Sequence, residues 1–222
     1  MNDSQLIRRR LLLGAGAVGL FGVTGAAGFA AMPSANAEAA EPEIDSTEDW
    51  GARAPGGTNP VITGSPNKLI VHHTVSANTE DFSREQAHLH AQWVQDLHMD
   101  GNGWRDTGYN FIVSRGGFLT EGTTGSLEAL RDGGHFIQGI HTSGQNSQAL
   151  GISNEGSYHD GAEPTAEQWA ALVSVCAFAA DQYGIESEEI YGHVDFNSTL
   201  CPGIFHEMLP QLREEVEAAR GE

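Results

Sequence analysis

Apolar and polar residues follow two different periods along this chain, and the switches between them outline its elements. Lys68–Thr74 (KLIVHHT) is a β-branched run ending in polar groups, which predicts a buried strand. Ser83 is a good N-cap for a helix from Arg84 to Met99, and Asp100-Gly-Asn-Gly103 breaks that helix. Tyr109–Ser114 and Phe118–Glu121 flank Arg115-Gly116-Gly117, a strong hairpin signal. Ala149–Ser153 is a further short strand. The longest helix starts at Pro164, with Thr165 or Glu163 near its cap, and runs to Tyr183 before Gly184 stops it. Glu189–Tyr191 is a short strand, and Cys201-Pro202-Gly203 turns into a C-terminal helix from Ile204 to Ala219. Trp93, Trp169, Phe178 and Tyr183 fall where helix faces would be buried. Strands alternating with helices predict one α/β domain, a mixed central sheet covered by helices on both faces.

Upstream of this pattern the composition changes. Arg8-Arg9-Arg10-Leu11-Leu12-Leu13 opens a Gly/Ala-rich apolar stretch, and Ala35-Asn36-Ala37 supplies a small-x-small cleavage pattern. Residues 1–37 therefore read as a signal peptide of the twin-arginine type, a route that carries folded proteins. Residues 38–49 read as a solvated acidic linker, and 50–222 as the folded domain. Removing the leader leaves 8 basic against 29 acidic residues, a net charge of −21 with Lys68 as the one lysine. So acidic a surface repels nucleic acid and anionic lipid. The expectation is a secreted monomer of the cell wall or periplasm, with no nucleic-acid partner and no stable membrane insertion after processing.

The candidate chemistry lies late in the chain. His193 and Cys201 sit eight residues apart in a Gly/Pro-bounded loop, close enough for one turn to aim both at a single point. Val71-His72-His73-Thr74 offers another imidazole from far upstream. Adjacent strand residues point to opposite faces, so at most one of His72 and His73 can join a given metal. Two imidazoles and a thiol leave one tetrahedral position of a zinc ion free, the pattern of a catalytic rather than a structural site. Tyr109 lies between these segments in sequence. Cys176, inside an apolar helical run, reads as a buried inert thiol. His88, His90, His98, His135, His159 and His206 read as solvated. Trp104 is placed in a loop beside Tyr109, where it could line a groove.

Trp50-Gly-Ala-Arg-Ala-Pro55, Val71–Thr74, Gly108-Tyr109-Asn-Phe111, Gly139-Ile-His141-Thr-Ser-Gly-Gln-Asn146, Gly151-Ile-Ser153 and Gly192-His193…Thr199-Leu-Cys201-Pro-Gly203 occur in this order. Together they resemble the type 2 N-acetylmuramoyl-L-alanine amidases and the peptidoglycan recognition proteins that share their fold. The resemblance implies a zinc enzyme cutting the amide between the muramic acid lactyl group and L-alanine of peptidoglycan, with a non-catalytic peptidoglycan-binding module as the alternative. It implies zinc ligands at His72, His193 and Cys201, catalytic roles for Tyr109 and Thr199, and substrate contacts at His141, Asn146 and Trp104. Two features depart from another branch of the superfamily: Ser153 stands where that branch has glutamate, and Cys201 where it has aspartate. Glu155 reads as a surface or supporting group.

Overall fold

The computed structural model describes residues 39–221, so the predicted signal peptide lies outside the described residues. The elements are β1 (Ile44–Asp45), β2 (Val61–Thr63), β3 (Lys68–His73), α1 (Arg84–Asp96), β4 (Phe111–Val113), β5 (Leu119–Glu121), α2 (Ser126–Asp132), β6 (His135–Ile137), β7 (Ala149–Asn154), α3 (Ala166–Tyr183), β8 (Ile190–Gly192), α4 (Ile204–Glu207) and α5 (Leu209–Ala219). A mixed six-stranded sheet has the order β1-β5-β4-β7-β3-β8, and β2 and β6 form a separate antiparallel ribbon. Within the large sheet only β4 and β5 run antiparallel.

Strand parity divides the core. Leu69 and Val71 of β3, Phe111 and Val113 of β4, and Leu150 and Ile152 of β7 join one cluster with Leu172, Val175 and Phe178 of α3 and Leu212 and Val216 of α5. On the opposite face Ile112 packs with Trp50 and with Ala91 and Val94 of α1. Helices therefore cover both faces, and the neighbouring interior strands β7 and β3 are buried nearly end to end, as parallel strands between two helical layers must be. Side-chain caps fix where the helices begin: Ser83 Oγ accepts from Gln86 N, and Thr165 Oγ1 from Gln168 N. Gly184 ends α3 in the left-handed conformation, as expected of a C-terminal glycine.

Several expectations need correction. The acidic segment 38–49 is not a free linker: Ile44 and Asp45 pair with Leu119 and Thr120 as the edge strand, and both are buried. Arg84 bonds to Asp45 and to Glu43, and His88 Nε2 meets Asp45 Oδ2 at 2.8 Å, so these two carboxylates are taken up by α1. Trp93 is 43% exposed rather than core, because the buried stripe of α1 runs through Ala87, Ala91 and Val94. That stripe carries His90 inward, where Nδ1 lies 3.6 Å from Glu155 Oε1. His98 is buried too, accepting from Gly108 N at 2.9 Å. Glu155 is 1% exposed and takes bonds from Gln86 Nε2 and Arg115 N, a supporting group rather than a surface one. The predicted first helix gives way to a π-helical turn over Leu97–Gly101, and the C-terminal helix is interrupted at Met208. Trp169 is half-buried against the main cluster, while Phe178 and Tyr183 are buried as expected.

Candidate metal centre

β3 ends with two imidazoles on opposite faces, and their contacts distinguish them. His73 faces the α3 side, where Tyr158 N donates to its Nδ1 at 3.1 Å. His72 faces the other way, 1% exposed, with ring centroids 4.6 Å from His193, 5.1 Å from His141 and 5.2 Å from Tyr109. The third group arrives because the loop after β8 closes on itself. A 3-10 turn at His193–Asp195 starts it, and Val194 N then donates to Cys201 O at 2.9 Å. That bond folds the eight-residue spacing back, so one loop supplies two donors. One donor atom from each of His72, His193 and Cys201 lies within 4.8 Å of the others.

The surroundings assign the ring nitrogens. His72 Nδ1 is 3.6 Å from Cys201 Sγ, whereas its Nε2 is 3.0 Å from His141 Nδ1 and 3.3 Å from Thr142 Oγ1. One nitrogen thus faces the cluster while the other is held from behind, the arrangement that fixes a ligating imidazole. The His141 ring reaches that position because residue 151 is glycine: a Cβ there would sit 2.5 Å from the imidazole. His193 is braced likewise, its Nε2 meeting Asn197 Oδ1 at 3.1 Å. Burial lowers the pKa of His72 well below normal and lowers that of His193, keeping both rings neutral with a lone pair available. Burial pushes the Cys201 thiol up to about 12, and a divalent cation is what reverses such a shift. Two neutral imidazoles and one thiol fit zinc, with a fourth tetrahedral position left for water or substrate.

The remaining predicted residues divide. Tyr109 stands beside His72, and burial first, then the neighbouring Cys201, raises its phenol above the ordinary range, so it stays a protonated donor. Thr199 Oγ1 accepts from Cys201 N at 3.1 Å, which leaves its own hydrogen to give. Asn146, expected to contact substrate, has its side-chain oxygen engaged within its own loop. Its Oδ1 accepts from both His141 N and Thr142 N, at 2.9 and 2.8 Å, and so shapes the loop carrying His141. Trp104 is half-buried and packs on His98 at 4.7 Å, behind Tyr109, without touching the three donors. Thr142 and Asn197 were not anticipated. Asn197 had a signal, four residues after His193 in a turn, while Thr142 has none beyond following His141. Cys176 and Cys201 are both free thiols.

Three candidate metal donors thus converge at the carboxyl ends of the parallel strands β3 and β8, beside a tyrosine, on an α/β sheet. The chain belongs to the N-acetylmuramoyl-L-alanine amidase family, whose profile matches residues 63–204. Peptidoglycan-recognition protein SC1a of Drosophila melanogaster is 33% identical over 165 residues, covering 72% of this chain and 80% of that one. A human N-acetylmuramoyl-L-alanine amidase is 32% identical over 159 residues, covering 69% of this chain but 25% of its own length. Among solved structures, the tracheal cytotoxin-bound ectodomain complex of peptidoglycan recognition proteins LCa and LCx matches with a TM-score of 0.65 and 26% identity, covering 76% of this chain and 95% of that one. No helix among the described residues is long and apolar enough to cross a membrane.

Proposed function

We propose that this chain is an exported, zinc-dependent N-acetylmuramoyl-L-alanine amidase that hydrolyses the amide between the muramic acid lactyl group and L-alanine of peptidoglycan. The observation that carries the reading is the convergence of His72, His193 and Cys201 donors within 4.8 Å. Zinc held by these three groups would supply Lewis acidity, polarising the amide carbonyl and acidifying a water. Every other role falls to the chain. His141 and Thr142 behind His72, and Asn197 behind His193, hold the two imidazoles in one tautomer and orientation. Tyr109, protonated at any ordinary pH, donates a hydrogen bond to the oxygen on which charge develops. Thr199 offers a neutral second donor from the same loop as Cys201. The leader carries the protein out through the twin-arginine route, the cleaved form acts as a monomer, and a surface of net charge −21 keeps nucleic acid away.

The decisive experiment incubates the mature protein with peptidoglycan, with and without zinc chelation, and analyses the products by mass. New L-alanine amino termini that disappear on chelation are expected. Retained binding without cleavage would instead favour a recognition module, the activity printed in the names of several relatives. The bracing of His72 is testable apart from turnover. His141→Ala should lower zinc affinity about 10- to 100-fold, the usual cost of losing a group that orients a ligating histidine. Competition with a chromogenic chelator measures it, and unchanged affinity would remove His141 from that role.

A further inference from the structure

A cleft of about 460 Å³ opens on the far side of the His193–Cys201 loop, outside the three-donor site. Lys68 at the start of β3, Tyr191 of β8, Asp195 and Phe196 of the loop, His206 of α4 and Arg213 of α5 line it. Cations are scarce downstream of the leader, and half of the eight are neutralised. Arg53, Arg84, Arg131 and Arg220 each pair with carboxylates. Lys68 and Arg213 form no ion pair among the described residues. Lys68 Nζ reaches only Asn67 Oδ1, and Arg213 Nε and Nη2 both donate to Ile190 O. Two half-buried, unneutralised cations therefore share one concavity on a strongly acidic protein.

The local acids are already committed. Asp195 Oδ1 meets His206 Nε2 and its Oδ2 accepts from Gly192 N, both at 2.8 Å, while Glu189 Oε2 accepts from Tyr191 Oη. Beside the cations stand two aromatic rings, Tyr191 and Phe196, with centroids 5.3 Å apart and planes at 73°. Arg213 lies 5.9 Å from the centre of the Tyr191 ring. An apolar aromatic wall next to paired cations suits a sugar that carries an anionic group: the rings take the face of the pyranose, and Lys68 and Arg213 take the charge.

We propose that this cleft is a second saccharide site, binding an acidic sugar, phosphorylated or carboxylated, beside the loop that carries His193 and Cys201. That the sugar belongs to a cell-wall polymer rests on the amidase reading; the site itself does not. Occupancy would also be felt by the loop, because Asp195, held by His206 on the cleft side, bonds the backbone immediately before His193.

The test is an amide chemical-shift titration of the mature protein with N-acetylglucosamine 6-phosphate, glucuronic acid, inorganic phosphate and neutral N-acetylglucosamine. Saturable shifts confined to residues 190–196 and 206–213 are expected with at least one acidic sugar, at roughly millimolar affinity. Comparing the phosphate with the carboxylate tells which anion the site takes. Lys68→Gln should weaken that binding about tenfold, the loss of one charge-assisted hydrogen bond. It should leave the melting temperature and the cleavage of unmodified peptidoglycan unchanged. Arg213→Gln, which also frees Ile190 O, serves as a second variant and should weaken binding at least as much. Equal shifts with the neutral sugar, shifts elsewhere only, or binding indifferent to Lys68→Gln would overturn the proposal. Cleft binding with no peptidoglycan cleavage would sink the amidase reading alone, and cleavage without cleft binding would sink this one alone.

Discussion

Cys201→Ser should reduce peptidoglycan cleavage by at least about a thousandfold, on the order of 4 kcal/mol of transition-state stabilisation. Serine keeps the size and hydrogen bonding of the thiol but not its softness or acidity. A serine hydroxyl fills nearly the same volume at a position that is 7% exposed. It can still accept the bond that His73 N now gives to Sγ at 3.3 Å. The loop closure from Val194 N to Cys201 O involves backbone alone. The fold should therefore persist, with a melting temperature within a few degrees of the parent. What serine cannot supply is an anionic soft donor, since a hydroxyl does not ionise near neutrality as a metal-bound thiol does. Zinc content after dialysis should fall together with turnover. A fully active serine variant would remove Cys201 from the centre, and a variant that loses activity while unfolding would show that the substitution tested packing instead.

Trp50→Ala should destabilise the protein by about 3–5 kcal/mol, the range for removing a large aromatic from a packed site. For a chain of this size that lowers the melting temperature by roughly 10 °C or more. Trp50 is 2% exposed, and it fills the space between Ala91 and Val94 of α1 and Ile112 of β4. This second core is small, so few neighbours can relax into the void. Its Nε1 also donates to Glu121 O at 2.8 Å, tying the N-terminal segment to β5. Trp50→Phe keeps most of the packing and loses the bond, and should cost about 1 kcal/mol. Thermal and denaturant unfolding measure both variants. An alanine variant as stable as the parent would mean that α1 is held by the polar contacts of Arg84 and His88 to Asp45 rather than by this core.

The sequence made the middle of the fold legible and left its margins dark, for a physical reason. β3, β7 and α3 are long enough for burial to write a pattern: each strand carries a continuous apolar run before its polar end, and Thr165 and Gly184 bound the helix with their own backbone chemistry. β1 has two residues and β2 and β6 three each, so their strand character comes from the partner they pair with and not from their own side chains. Charge misled in the same way. The acids of 38–49 suggested solvent, but Asp45 is buried against Arg84 and His88 from a helix some forty positions on. In the candidate site, the His193–Cys201 spacing was readable because one loop carries both. Strand parity said that only one of His72 and His73 could join them, and resemblance chose His72. Contacts from Tyr109, His141 and His193 fall on that same side. Helical periodicity, properly phased on Ala87 and Val94, would have turned His90 inward and Trp93 outward.

The two imidazoles that close β3 make the site a gauge of strand alignment. Side chains alternate across a strand, so sliding β3 by one residue would exchange the places of His72 and His73. The imidazole now among Tyr109, His141 and Cys201 would turn toward Tyr158, and its neighbour would meet the loop at the wrong height. The chain guards against this by pairing β3 on both sides, along six positions with β7 and three with β8. A misthreaded molecule could still collapse and stay soluble, yet it would hold a metal poorly. With the proposed zinc bound, metal retention would distinguish correctly threaded molecules from compact imposters, which bulk measures of folding would count alike.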